Sequence, residues 1–251
     1  MSAKSCFVLT FLLILSSACA RGAEVQVAVA ANFSEPMRRI AELFEAASGH
    51  RARLSFGASG MFHAQIRAGA PFDVLLSADQ KIPAALLAEG LALPGTRRTY
   101  ARGRLVLWSA DPKLVGGGPE ILQDTSWRHL AIASPQLAPY GAAAAEVIAA
   151  LGVRETLASR LVQGENISQA YQFVATGNAE LGFVAWSQVI DKNGRPASGS
   201  SWLVPATLHQ PILQDLVLLL PAKHNPAAMA LLEFLQSATV TALIRDSGYE
   251  I

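Results

Sequence analysis

Past its first twenty residues this chain contains no cysteine; its two, Cys6 and Cys19, both precede Arg21. The body of the protein therefore holds neither a disulfide nor a thiolate metal site. An exported chain of this length can rely on its core alone. An excess of charge is missing too. Lys4 is the sole charged residue before Arg21, so beyond it 19 basic residues face 19 acidic ones. That leaves no basic stripe for nucleic acid and no polybasic patch for a membrane surface. The 5 histidines (His50, His63, His129, His209 and His224) are scattered, with no H-x-x-x-H or other ligand spacing. Neither they nor the carboxylates cluster as a metal-cation site would require. The chain has no G-x-S-x-G nucleophile elbow, no repeat of fixed period and no low-complexity tract.

What is present is apolar material: 51% of 251 residues, enough for one large domain or two smaller ones. Met1 to Ala20 has the order of a secretory signal: basic Lys4, an apolar run from Cys6 to Ile14, then the small residues Ser16-Ser17-Ala18-Cys19-Ala20. Cleavage is expected after Ala20 or after Ala23, giving a signal over residues 1–23. The apolar stretch is short for a membrane anchor. A lipoprotein, with Cys19 as the lipidated residue, is disfavoured by Ser16, which stands where such signals usually carry leucine.

From Glu24 onward, apolar strand-like runs alternate with helical periodicity. Strands are expected at 24–31, 51–56, 73–77, 105–108, 130–133, 181–185 and 213–220. Helices are expected from Ser34, as N-cap, to Gly49, then over 61–68, 82–89, 142–150, 168–176, 226–235 and 239–245. Residues 192–201 are polar and Gly/Ser-rich and form an expected exposed loop. This β-α repetition with short connections predicts an α/β fold built on parallel sheets. The layout suggests two α/β lobes: residues 24–104 with 213–251 as a discontinuous first lobe and 105–212 as the second. Two crossing strands, near Leu105 and Leu213, would form the hinge.

Four short turns follow strands and open helices: Ala30-Ala31-Asn32-Phe33-Ser34, Phe56-Gly57-Ala58-Ser59-Gly60, Ala138-Pro139-Tyr140-Gly141 and Gly164-Glu165-Asn166-Ile167-Ser168. A helix N-terminus carries unpaired N–H groups and partial positive charge, which suits an anion. In open α/β sheets such turns lie at the strand ends that line ligand clefts. Glu165 is the one charged residue in them and is expected to point outward. Asn32 and Ser59 each have a structural alternative, as a turn residue and a helix N-cap. Ser59 with His63 one helical turn on also invites a serine-hydrolase reading, although a histidine on the same helix is poorly aimed as a base.

F-G-A-S-G at 56–60, Ala64-Gln65-Ile66-x-Ala68-Gly69-Ala70-Pro71, Leu76-Ser77-Ala78-Asp79, Ala138-Pro139-Tyr140-Gly141 and the stretch from Gly164 to Val184 resemble the periplasmic molybdate-binding proteins of ABC importers. The resemblance covers essentially the whole chain after the signal. It implies a type II periplasmic binding protein fold, with two lobes closing over molybdate or tungstate, and docking on a membrane permease. It also implies a monomer, no catalysis and no cofactor. Molybdenum would be held as its oxyanion by the side-chain amide NH₂ of Asn32, by Ser59, and by the backbone amides of Tyr140 and Ile167, with Ala31 as a further amide. Some members of the family place a tyrosine hydroxyl on the anion from the strand that matches Gly182 to Ala185. Here Ala185 stands at that position, so this hydroxyl is absent. Molybdate at neutral pH is a fully deprotonated acceptor that neutral donors satisfy, whereas phosphate keeps a proton and calls for an acceptor such as Asp. Sulfate shares the charge and hydrogen bonding of molybdate, so the same fold binding sulfate remains the alternative.

Overall fold

The computed structural model describes residues 22–191 and 194–251. The expected signal through Arg21, and Lys192 and Asn193 of the polar loop, lie outside the described residues. Strand β1 (Glu24–Ala30) runs into a 3-10 turn (Ala31–Phe33) and helix α1 (Ser34–Ser48). Then follow β2 (Arg51–Gly57), α2 (Ser59–Arg67), β3 (Val74–Leu76), α3 (Lys81–Ala88) and β4 (Arg98–Gly103). The second half begins with β5 (Leu105–Ser109) and β6 (Leu130–Ala133). It continues through α4 (Pro139–Ala150), α5 (Arg154–Leu157), β7 (Leu161–Gly164), α6 (Ile167–Ala175), β8 (Leu181–Ala185) and β9 (Ser200–Leu203). The chain closes with β10 (Ile212–Leu218), α7 (Pro226–Phe234) and α8 (Ala238–Asp246).

These strands make two five-stranded mixed sheets, ordered β2-β1-β3-β10-β4 and β7-β6-β8-β5-β9. In the first, β1 is parallel to β2 from Glu24↔Arg51 to Ala30↔Gly57 and parallel to β3 on its other side. In the second, β6 is parallel to β7 and to β8. In each sheet an antiparallel strand, β10 or β5, adds beside the parallel three and carries a further antiparallel strand at the edge. The chain passes between the sheets at Gly103–Leu105 and again between β9 and β10. Each lobe has its own core. Val27, Val29, Phe33, Ile40, Leu216 and Leu231 are buried in the first; Leu107, Ile132, Val147, Leu181 and Phe183 are buried in the second.

The expected helices and seven expected strands are present with ends shifted by a few residues. Three strands escape the periodicity. β4 and β7 carry Arg, Thr, Gln and Gly, and β9 begins with Ser200 and Ser201 at the end of the segment expected to be loop; all three are edge strands, where polar residues are tolerated. Ser34 proves to be the first residue of α1, whose N-cap is Phe33 with no side-chain cap. Ser59 likewise lies inside α2 behind the N-cap Ala58.

Candidate functional site

The turns after β1 and β2 of the first lobe meet those after β6 and β7 of the second. Ala31, Asn32, Ser59, Tyr140 and Ile167, together with Ala58, Ala78, Ala138 and Asn166, line one small cavity of about 10 Å³, room for about one water molecule. All five sequence-derived site residues are thus brought together. All five are buried: Ser59 is 1% exposed, Tyr140 2%, Asn32 and Ile167 3%, Ala31 5%. Ala30, Ala31, Ala58 and Ala78 pack into the same apolar cluster as the second-lobe core, so the lobes touch around the cavity. Further contacts join them here: Gly60 N–H donates to Leu137 O (2.9 Å) and Ser168 Oγ donates to Ala31 O (3.2 Å).

The hydrogen bonds at the starts of α4 and α6 single out one amide each, and at the start of α2 they leave that of buried Ser59 beside that of half-buried Met61. In α2, Gly60 N–H goes to Leu137 O and Phe62 N–H to Ala58 O. In α4, Pro139 has no N–H, and Gly141 and Ala142 both donate to Ala138 O. In α6, Asn166 Oδ1 accepts from Ser168 N–H (3.0 Å) and Gln169 N–H (3.1 Å). Among the described residues the main-chain N–H groups of Ser59, Tyr140 and Ile167 find no acceptor. Buried N–H groups call for an acceptor, so three such donors on one cavity suit a ligand that only accepts hydrogen bonds. Each also sits at the positive end of a helix dipole. Ser59 adds a hydroxyl. Its Oγ accepts from Ala78 N–H at 3.0 Å, which leaves its own proton to donate. Among the described residues no carboxylate lines the cavity, and Glu165 is exposed.

Asn32 differs from expectation in the atom it offers. Its side-chain amide was expected to donate to an anion. In the structure Nδ2 donates to Gln214 Oε1 (2.8 Å) and to Tyr249 Oη (3.0 Å), which engages both of its protons. What Asn32 can turn to a ligand is its main-chain N–H, in the turn with that of Ala31. Sequence reasoning also missed the polar layer behind the turn. Tyr100 Oη lies 3.0 Å from Gln214 Oε1 and 3.1 Å from Ser77 O and shares its one proton between these two acceptors, and Gln214 Nε2 donates to Tyr140 Oη (3.3 Å). A β-bulge creates it: Gln214 pairs with Ala101 but Asp215 with Thr99, so Tyr100 is left over and turns inward. Burial pushes the phenols of Tyr100, Tyr140 and Tyr249 above their ordinary range, so all three stay neutral. The adjacent polar pair Gln214-Asp215 inside an otherwise apolar strand was the available signal. Nothing local pointed to Tyr249.

His63 offers Ser59 no base: its Nε2 lies 3.3 Å from Glu89 Oε1 at the surface. Among the described residues no group of three or more His, Cys, Asp or Glu is placed to hold a metal ion.

Residues 25–250 match the family model described as bacterial extracellular solute-binding protein. The chain is 52% identical over 235 residues to the molybdate-binding protein ModA of Azotobacter vinelandii, covering 94% of this chain and 93% of that protein. It is 53% identical over 230 residues to ModA of Rhodobacter capsulatus, covering 92% and 89%. The chain belongs to the molybdate-binding family of bacterial extracellular solute-binding proteins. Among solved structures, the periplasmic molybdate-binding protein of Azotobacter vinelandii superposes with a TM-score of 0.88 at 39% identity, over 90% of this chain and 99% of that one. The two-lobed type II fold of this family is the one seen here.

Proposed function

We propose that this protein is the periplasmic substrate-binding component of an ABC importer, taking molybdate, and tungstate as its near-isostere, between its lobes. The observation that carries this reading is the set of three buried, unpartnered helix-start amides beside the Ser59 hydroxyl. Neutral donors with no acceptor among the lining side chains suit an oxyanion that bears no proton. They disfavour phosphate, which would leave its O–H without a partner. The ligand set is the main-chain N–H of Ala31, Asn32, Ser59, Tyr140 and Ile167 with Ser59 Oγ. Hydrogen bonds to a charged partner are each worth roughly 1.5–3 kcal/mol, so several support sub-micromolar binding after the cost of closure.

The relatives' names support molybdate as the ligand and the family supports an exported transport role, with residues 24–104 plus 213–251 and 105–212 as the two lobes. We take the protein to be a non-catalytic monomer without a cofactor, its signal removed near Ala20 or Ala23, that presents its closed face to a membrane permease. Sulfate is the second reading, because it shares molybdate's charge and acceptor-only character.

Isothermal titration of the mature protein with molybdate, and competition with tungstate, sulfate and phosphate, tests the reading. Tight molybdate binding that excess sulfate leaves in place is expected. Binding of sulfate but not molybdate would keep the site and overturn the ligand. No heat with any of the four would overturn both.

A further inference from the structure

We propose that Tyr249 is a positioning residue for the anion site, whose hydroxyl ties the Asn32 turn of the first lobe to closure of the second. The inference deepens the proposed function and rests on it. Tyr249 lies two residues before the last residue of the chain, outside every helix and strand, yet it is only 5% exposed. Its Oη donates to Asn32 O at 2.6 Å and accepts from Asn32 Nδ2 at 3.0 Å. One hydroxyl therefore grips both the main chain and the side chain of a single turn residue. A phenol has one proton. Because that proton goes to Asn32 O, the contact with Ser187 Oγ at 3.0 Å is made by the serine's proton. Ser187 Oγ also lies 3.3 Å from Asn32 O. Ser187 follows β8 in the second lobe, so this triangle exists only while the lobes are together.

The flanking residues make the placement firm on three sides. Glu250 exchanges two main-chain hydrogen bonds with Arg102 (2.7 and 3.0 Å), just before the chain crosses between lobes. Gly248, with φ +86°, lies against Ile190 and Trp186 of the second lobe. The Tyr249 ring meets Phe33 edge-on at 5.4 Å and 72°. The C-terminal segment thus touches the anion turn, the crossing and the far lobe within three consecutive residues. With Nδ2 and O of Asn32 both fixed, the turn holds its N–H groups in one orientation before the anion arrives. Such preorganisation raises affinity without a new ligand contact.

Tyr249→Phe keeps the ring and removes only the hydroxyl. The test combines it with Ser187→Ala and the double variant. Molybdate titration, stopped-flow release and the melting temperature of the ligand-free protein are the readouts. Tyr249→Phe is expected to weaken molybdate binding about tenfold, mostly through faster release, with the ligand-free Tm close to wild type. Ser187→Ala is expected to cost about threefold in the wild-type background and far less beside Tyr249→Phe, because coupled residues are not additive. An affinity within twofold of wild type for Tyr249→Phe overturns the inference. So does strict additivity, which would separate the two residues, and so does a large fall in ligand-free Tm, which would make Tyr249 a packing residue. Wild-type protein that gives no heat with molybdate overturns the proposed function and this inference with it. Wild-type binding with an unchanged Tyr249→Phe overturns the inference alone.

Discussion

The two lobes share one strand plan and use it differently. Lay β2-β1-β3-β10-β4 over β7-β6-β8-β5-β9: the turns after the first two parallel strands of each lobe correspond, Ala31–Asn32 with Tyr140, and Ser59 with Ile167. In the second lobe both turns offer main chain alone, and the Tyr140 side chain reaches away to Gln214. In the first lobe Ser59 adds a hydroxyl, and Asn32 has its side chain tied back into a buried polar layer. The second lobe is therefore constrained in backbone geometry and tolerant in side chain. The first is constrained in side-chain chemistry as well. This explains why the duplicated architecture leaves no repeat in the sequence: what recurs is strand order and helix-start position, which many residue types satisfy.

The largest effect should come from disturbing second-lobe backbone geometry. Gly141 follows Tyr140 in the first turn of α4, and a Cβ there would overlap Ala133 O and come within 2.6 Å of Ser134 O. Those atoms are rigid main chain, so the helix start must move. Gly141→Ala is expected to weaken molybdate binding a hundredfold or more and to lower stability by about 1–3 kcal/mol, as overpacking does. Titration calorimetry and thermal melts check it. Near-normal affinity would mean that the Tyr140 amide is not a ligand.

Next in size is the first-lobe hydroxyl. Ser59→Ala removes one donor to a charged acceptor, about 1.5–3 kcal/mol, or roughly 10- to 150-fold in Kd. It also leaves the buried Ala78 N–H without its partner, so a modest fall in Tm should accompany the loss. Its second-lobe counterpart should respond far less. Ile167→Val keeps the amide and trims one methylene, so its affinity should stay within about threefold while stability falls by roughly 0.5–1.5 kcal/mol. Equal losses of affinity in the two variants would break the contrast between the lobes.

The division between legible and hidden features follows the same line. The four turns could be read because each is a local pattern: an apolar run, a Gly/Ser/Asn punctuation, then helical spacing. Family resemblance then selected Ala31, Asn32, Ser59, Tyr140 and Ile167 within them, and all five line the cavity. Strands β4, β7 and β9 were hidden because partners across the sheet, and not their own side chains, hold them in place. The role of Asn32 Nδ2 was hidden for a related reason. Its partners Gln214 and Tyr249 lie 182 and 217 residues away, and the bulge that admits Tyr100 depends on a pairing slip between two strands far apart in the chain.

The third turn of each lobe offers the smallest and most local test. After β8, the Gln188 side chain closes its turn by accepting from Ala185 N–H at 3.0 Å, a neutral arrangement. After β3, the first lobe places Asp79, whose Oδ1 accepts from Ile82 N–H at 2.9 Å as α3 begins. Burial raises the Asp79 carboxyl above its ordinary pKa, outweighing the bonds from Ile82 and Ser77 and the charge of Lys81. A carboxyl that holds its proton more tightly folded than unfolded loses stability as pH rises through the interval between the two values. It recovers that stability once pH falls below the ordinary value of 3.8. Asp79→Asn keeps an oxygen acceptor for Ile82 and discards the charge, making the first-lobe turn resemble the second. A small gain in Tm at pH 7, on the order of 1–3 °C, is expected, shrinking as the solution is acidified and the wild-type carboxyl takes up its proton. A loss of Tm at pH 7 would show that the interaction of this charge with the start of α3 outweighs the cost of burying it, and a gain that stays constant down to pH 3 would show that the charge is not the source of the gain.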